Sequence, residues 1–379
     1  MIGGVRVSLD ALRENARALR DLVAPAKAAF VVKANAYGHG IAAVARAIEP
    51  FADRLCVYSL EEAVTLRAAG VTAPIFIMGP IESAGLEEAL ARGFELALWD
   101  TGSYLRAVCE AARKRHVQAS VHVKINTGVA RLGLEPRDAA DAIEDYVRLP
   151  ELALAGIFSH LAAAEELDSP FTMEQLAAFE RVSNAAAGAL HARGAAPVRH
   201  IAASAAALLW PQTRLDMVRI GIALYGLWPS AQTRVAMNGA NFELQPALSY
   251  DTRIAAIREV EAGTPIGYGC SYHAPKRTRI AVLPLGYADG IPRALSNKGA
   301  VLIDGQRCPV VGRVCMNMLI VDAGAAPAAR PGDPAVLLGV QGADAITAED
   351  WAAWADTINY EIVTRLPAEL TRTYAAFPE

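Results

Sequence analysis

The stretch VVKANAYGHG, residues 31–40, brings a lysine to the tip of an apolar run and follows it with Asn35, Tyr37 and His39. A lysine at a strand end ordinarily snorkels, burying its stem and solvating its ammonium, and position alone favours that reading for Lys33. A desolvated lysine behaves differently: it loses basicity, becomes nucleophilic near neutral pH and can form a Schiff base with an aldehyde. Other residue types invite similar questions. Tyr268, in GYGCSY, starts near a pKa of ~10 and acts as a base only beside a positive charge; taken alone it reads as a turn aromatic. Arg219, in VRIGIALYG, is a permanent cation that could equally pair with a carboxylate such as Asp216. Ser204, in HIAASAA, could cap the alanine-rich segment after it or donate to an anion, and the two roles are compatible. The seven histidines show no HxH or HExxH spacing and the five cysteines no CxxC pair, so neither a metal hydrolase nor a zinc framework is indicated.

The elements that would position these residues alternate. Apolar runs at 29–32, 55–58, 75–78, 95–98, 120–125, 154–158, 198–201 and 217–222 are separated by segments such as 59–69, 103–114, 138–146 and 173–192, whose apolar residues recur at three- and four-residue intervals. Eight strand–helix repeats in some 225 residues predict an α/β fold with an N-terminal (β/α)8 TIM-like barrel, in which strand tips face the active-site mouth. An open doubly wound sheet is the rival, weakened because no GxGxxG follows the first strand. After about Pro229 the pattern becomes short strands punctuated by Gly, Pro and Asp (247–257, 278–285, 300–303, 308–311, 318–321), with helical signal only around 347–357. Two domains are expected: the barrel at 1–235 and a mostly-β C-terminal domain at 236–379, with the strand-like 4–8, ahead of the barrel, a candidate to pair with the second.

Beyond Lys33, whole blocks match a known family. VVKANAYGHG, KINTGVARLGL, SHLAAAEE, HIAASAA, VRIGIALYG, GYGCSY, LPLGYADGIPR, VGRVCMNM and TINYEI keep their order across nearly the whole chain and resemble the alanine racemases, barrel-type pyridoxal phosphate enzymes. The resemblance implies racemisation of alanine by two proton-transfer groups. Lys33 would hold the cofactor aldehyde and serve one face of the substrate Cα, and Tyr268 the other. It places Tyr37, Ser204, Gly221, Ile222 and Tyr360 at the cofactor phosphate, Arg219 at the pyridine nitrogen with His200 nearby, and His160 beside the ring. Arg131 and Met316 would contact substrate, and Lys124 would carry a carbamate that balances Arg131. Tyr268, Cys315 and Met316 would enter the site of the opposite subunit, so a homodimer with shared sites follows. An arginine at the ring nitrogen cannot accept a proton, which limits electron withdrawal and suits a simple racemase; a related decarboxylase should carry a carboxylate there.

The chain departs from the common family pattern at Asn126, Val129, Ala203 and Asn317, and its ending, TRLPAELTRTY, lacks the arginine-rich finish of relatives. A serine or broader-specificity racemase is therefore the alternative within enzymes, and a cofactor-carrying homeostasis protein the alternative outside them. That second reading leaves the β domain and Tyr268 unexplained. The net charge of −4 offers no basic patch for nucleic acid, and despite 53% hydrophobic residues no apolar run is long enough to span a membrane. MIGGVRVSLD lacks the basic-then-apolar pattern of a secretory signal, and the scattered odd cysteines read as reduced thiols. The expectation is a cytoplasmic enzyme acting on a small amino acid, supplying D-alanine for peptidoglycan.

Overall fold

The computed structural model describes residues 3–240 and 242–374. Its chain divides into two compact units. One comprises Leu12–Ala36 and Ile41–Gln245; the other comprises the N-terminal segment through Ala11, Tyr37–Gly40 and the residues from Pro246 onward.

The first unit is an eight-stranded parallel sheet rolled into a nearly closed barrel. In chain order its strands are Lys27–Val31, Arg54–Val57, Ile75–Ile77, Glu95–Leu98, Ala119–Lys124, Leu152–Phe158, Val198–His200 and Met217–Ile220. Consecutive strands pair from the first through the seventh, and the eighth returns to the first, with Ala29 opposite Arg219. Between the seventh and eighth, Asp216 N–H donates to Arg199 O and Arg219 N–H to Ala202 O, which brings the seam together. All eight expected runs are strands. They read as continuous apolar stretches because parallel strands of a barrel are covered on both faces, and Phe30, Leu55, Phe76, Leu96 and Val121 have no exposure.

The crossover helices form where apolar residues recur at helical spacing. In Pro136–Arg148 a proline opens the helix and Ala139, Ala142, Ile143 and Tyr146 turn inward. Leu60–Ala68 starts from a reciprocal cap between Ser59 and Glu62. One expectation needs correcting: 173–192 is two helices, Phe171–Ala185 and Ala187–Ala192, meeting at Ala186.

The second unit is mostly β. Its main sheet runs Gln306–Pro309, Ala300–Ile303, Pro334–Gln341, Leu248–Arg253, Gly3–Val7 and Arg372–Tyr374, with Asp344–Ile346 added to Pro334–Gln341. Gly3–Val7 pairs antiparallel with Leu248–Arg253 and parallel with Arg372–Tyr374. A second sheet holds Ala256–Val260, Thr278–Leu283 and Leu319–Asp322. The expected strand 247–257 is thus two strands in different sheets. The chain changes sheet at Ile254 and Ala255, whose N–H groups donate to Asp333 O and Val282 O. The expected strand 308–311 lies slightly earlier, at Gln306–Pro309, and the long strand Pro334–Gln341 is not among those expected. Helical structure near the end is Ala348–Ala355, capped by Thr347, then Asn359–Thr364.

Candidate active site

Lys33 stands two residues past the first barrel strand, at the start of a turn with the opposite hand to an ordinary helix. Ala34, Asn35, Ala36 and Tyr37 all have φ between 51° and 54°. Each such residue costs about 1–2 kcal/mol for a side chain with a Cβ, so neighbours must hold the conformation. They do so by bonding its polar groups. Glu62 Oε1 accepts Ala34 N–H at 2.6 Å, Asn35 Oδ1 accepts Ile41 N–H at 2.9 Å, and Ala36 N–H reaches Val32 O. Past Tyr37, Gly38 (φ +82°) passes so near Val363 that a Cβ would lie 2.0 Å from its carbonyl oxygen. The polar loop expected after Val32 is therefore a rigid turn that fixes where Lys33 leaves the barrel rim.

The barrel mouth is electrostatically hostile to extra positive charge. Burial and then Arg131 lower the Lys33 pKa, with Glu62 pulling the other way. Lys124, last residue of the fifth strand, is pushed down to about 8 by burial, Arg131, Arg219 and Lys33. His160, just past the sixth strand, falls to about 3 from burial and the same cations, so it is neutral at physiological pH. Arg131 sits on the loop after the fifth strand. That loop is closed by Asn126 N–H to Leu134 O, Leu134 N–H to Lys124 O, Ala130 N–H to Asn126 Oδ1, and Thr127 against Ser159.

Arg219 lies inside the eighth strand and is 4% exposed. Its Nη1 donates to His200 Nδ1 at 2.6 Å and His200 O at 3.0 Å. Its Nη2 donates to Ser159 O at 2.6 Å and Ile201 O at 3.2 Å, with His160 Nδ1 at 3.5 Å. Burial lowers it to about 10, which leaves it cationic at neutral pH. The possible pairing with Asp216 does not occur, because Asp216 binds Arg199 at 3.1 Å. Ser204 is not the cap of its helix; Ala203 occupies that position without a side-chain bond. Ser204 Oγ instead accepts Gly221 N–H at 2.9 Å and Ala223 N–H at 3.4 Å, which leaves the hydroxyl proton to be donated. Gly221 thus spends its N–H within the protein, and Ile222 opens the short turn that follows.

In the β-rich unit, Tyr37 is buried, with its ring 6.3 Å from that of Tyr360. Tyr268 is carried by a short turn between Pro265–Ile266 and Tyr272–His273 and is 71% exposed; Met316 is 56% exposed. The segment around Met316 is bonded to the one around Tyr287 through Tyr287 N–H to Cys315 O and Ala288 N–H to Met316 O.

Sequence reasoning passed over several residues that build this site. Glu62 anchors the Lys33 turn, and Gln175 ties Ala162 N–H, Thr127 and His160 O together. Arg54, Glu95 and His122 line the barrel interior behind His200. Each is one polar residue in or beside an apolar segment, with partners too distant in sequence to be recognised.

The chain matches the family model described as the alanine racemase N-terminal domain over residues 7–229, and the alanine racemase C-terminal domain over 247–374. It is 43% identical to an alanine racemase of Symbiobacterium thermophilum over 97% of this chain and 96% of that protein, and 39% identical to one of Thermobifida fusca over 97% of each. Among solved structures, the alanine racemase of D-cycloserine-producing Streptomyces lavendulae aligns with a TM-score of 0.92 at 36% identity, covering 100% of this chain and 98% of that one. The alanine racemase of Bacillus anthracis with bound L-Ala-P aligns at 0.87 and 32% identity, covering 99% and 95%.

Proposed function

The chain belongs to the alanine racemase family and is an isomerase, an alanine racemase, and from that premise we propose that it uses pyridoxal phosphate and two proton-transfer groups, Lys33 and Tyr268. The observation that carries the reading is the reduced basicity of Lys33, fixed at the barrel rim by a turn that bonded neighbours hold in place. The donor set fits the cofactor: a lysine amine whose basicity is lowered, a guanidinium with no carboxylate partner among the described residues, and a buried hydroxyl whose oxygen already accepts two N–H groups.

When bound, pyridoxal phosphate supplies an aldehyde and a ring that draws electrons from the substrate Cα. Lys33 Nζ takes or returns the Cα proton on one face, and the phenolic oxygen of Tyr268 does so on the other. Arg219 would offer the ring nitrogen an N–H donor without transferring a proton to it, which would leave the ring neutral and limit how strongly it draws electrons. Ser204, Gly221, Ile222, Tyr37 and Tyr360 hold the phosphate, while Arg131 and Met316 meet the substrate. Lys124, at about 8, has a neutral amine available to add carbon dioxide. Its carbamate would face Arg131 as a counter-charge.

The domain roles belong to the same reading, with 1–235 binding the cofactor and 236–379 supplying Tyr268. A cytoplasmic homodimer sharing its sites and providing D-alanine for peptidoglycan completes it. Among the described residues no helix is long and apolar enough to cross a membrane. The test is incubation with each L-amino acid and cofactor, followed by chiral chromatography. D-Alanine as the dominant product, with a yellow protein, is expected; comparable racemisation of serine or bulkier residues would replace alanine with a broader substrate range.

A further inference from the structure

A continuous chain of side-chain hydrogen bonds crosses the interior of the barrel. Arg54, first residue of the second strand, forms a two-pronged ion pair with Glu95, first residue of the fourth; Arg54 Nε meets Oε2 and Nη2 meets Oε1 at 2.9 Å. Glu95 Oε2 lies 3.1 Å from His122 Nε2, His122 Nδ1 lies 2.8 Å from His200 Nε2, and His200 Nδ1 lies 2.6 Å from Arg219 Nη1. Both imidazoles have no exposure. Phe76 stacks on His122 at 4.3 Å between centroids, and Phe158 on His200 at 5.1 Å. The sixth strand makes room for this chain at Gly156, where a Cβ would sit 2.1 Å from His122 Nδ1.

The two ends determine every proton between them. A guanidinium only donates and an ionised carboxylate only accepts. Facing Arg219, His200 Nδ1 must therefore be the bare nitrogen, so its proton is on Nε2. That proton points at His122 Nδ1, which must be bare, placing the His122 proton on Nε2, where Glu95 accepts it. Both rings neutral in the Nε2–H form is the only assignment with no donor facing a donor. A doubly protonated His122 would require His200 to accept at both nitrogens, which a neutral ring cannot do. A protonated Glu95 that donated to His122 Nε2 would reverse both tautomers and set His200 Nδ1–H against Arg219. The charges agree with this assignment. Burial lowers the pKa of both histidines, while bonds from His122 and Arg54 overcome burial and hold Glu95 at about 2.

We propose that Glu95, held by Arg54 and acting through His122, is a positioning residue that locks His200 in the Nε2–H tautomer and so keeps a bare nitrogen turned to Arg219. This role rests on the reading of Arg219 as the partner of the ring nitrogen. His200 and the carbonyls of Ser159, His200 and Ile201 occupy both terminal nitrogens of the guanidinium, and Nε–H is the donor left over among the described residues. The buried anion thus orients the cation at the site from the opposite end of the barrel.

Long-range proton–nitrogen correlation spectra of protein labelled with 15N-histidine, taken without and with pyridoxal phosphate, test it directly. Substitution of each histidine in turn identifies its signals. His122 and His200 are expected as neutral Nε2–H tautomers at pH 7. In Glu95→Gln the amide must set its NH2 against Arg54, at Nη2 when its oxygen faces His122 and at Nε when it is turned over, so the charged anchor is lost and the preference should weaken. The cofactor's visible band should shift, and kcat should fall on the order of tenfold with KM changed less than about twofold. Either ring protonated at Nδ1 in the wild type overturns the proposal. So does a Glu95→Gln protein with unchanged tautomers and an unchanged cofactor spectrum. If that variant fails to fold, the wild-type tautomers still decide. The two readings fail separately: a wild type that binds no cofactor sinks the functional assignment, whereas the tautomers of the cofactor-free protein do not depend on it.

Discussion

Lys33 and Tyr268, the two residues assigned to proton transfer, sit in contrasting surroundings. Around Lys33 the barrel rim is finished: a four-residue left-handed turn sets its direction, and Arg131 and Lys124 bring positive charge near it. Tyr268 stands 71% exposed on a short turn of the β-rich unit, and Tyr287, Met316 and Met318 of the same unit are also large and exposed. Exposed apolar side chains gathered near one another mark a surface that something covers. Lys33 has its basicity lowered by residues of its own unit, whereas Tyr268 lies on an exposed face. The proposed shared site would resolve that contrast, with a second copy covering the face that carries Tyr268.

The strongest way to break the comparison is to disable each group separately and recombine the chains. Lys33→Ala should lose the visible cofactor band and at least about 10³-fold in rate, and Tyr268→Phe roughly 10²-fold or more. Unfolded together in equal amounts and reassembled, half of the dimers should be mixed. Each mixed dimer holds one site with both groups intact and one with neither, so activity should recover to about a quarter of wild type. A mixture no more active than the average of the two variants would mean that each chain builds its own site.

A second prediction sharpens the contrast from the β-rich side. Arg372 fastens the end of the β-rich unit through its geometry. Its guanidinium donates to Gly38 O at 2.7 Å and to the carbonyls of Leu366, Pro367, Ala368 and Leu370 at 2.9–3.2 Å. Five acceptors around one planar fork fasten the chain just after Tyr37. Lysine has three donors and no fork, so Arg372→Lys should cost about 2 kcal/mol in urea unfolding. It should also weaken cofactor binding more than it lowers kcat, because the residue it steadies is assigned to the phosphate. Unchanged cofactor affinity would separate Arg372 from that role.

How much was legible in the sequence follows from the range of each interaction. The barrel strands were readable because burial on both faces leaves unbroken apolar runs. Lys33, Arg219 and Tyr268 stood out as candidates because whole blocks around them resemble a family. The turn after Lys33 was not, since of Ala34, Asn35 and Ala36 only asparagine favours its backbone, and the bond that holds Ala34 comes from Glu62. Arg54, Glu95 and His122 were invisible for a related reason. A lone charge at a strand start resembles a surface residue until a partner 41 or 27 positions away is brought beside it.

The smallest effect concerns a departure that looked like the loss of a charge. Where the family resemblance leads one to expect aspartate, Asn126 uses both halves of its amide: Oδ1 accepts Ala130 N–H at 2.9 Å, and Nδ2 donates to Glu135 Oε1 at 2.9 Å. An aspartate could keep the first bond but would set its other oxygen against the Glu135 carboxylate. Asparagine therefore belongs with Glu135, and the two residues together close the loop that carries Arg131. Asn126→Asp should destabilise the protein by about 1 kcal/mol at neutral pH, because one bond is lost and a partly solvated repulsion gained. The loss should shrink as salt screens the two charges. Adding Glu135→Gln, which supplies a donor, should recover most of it, giving a coupling energy of about 0.5–1 kcal/mol in a double-mutant cycle. A cycle that closes with no coupling would show that Asn126 and Glu135 act independently, and the departure would then need another cause.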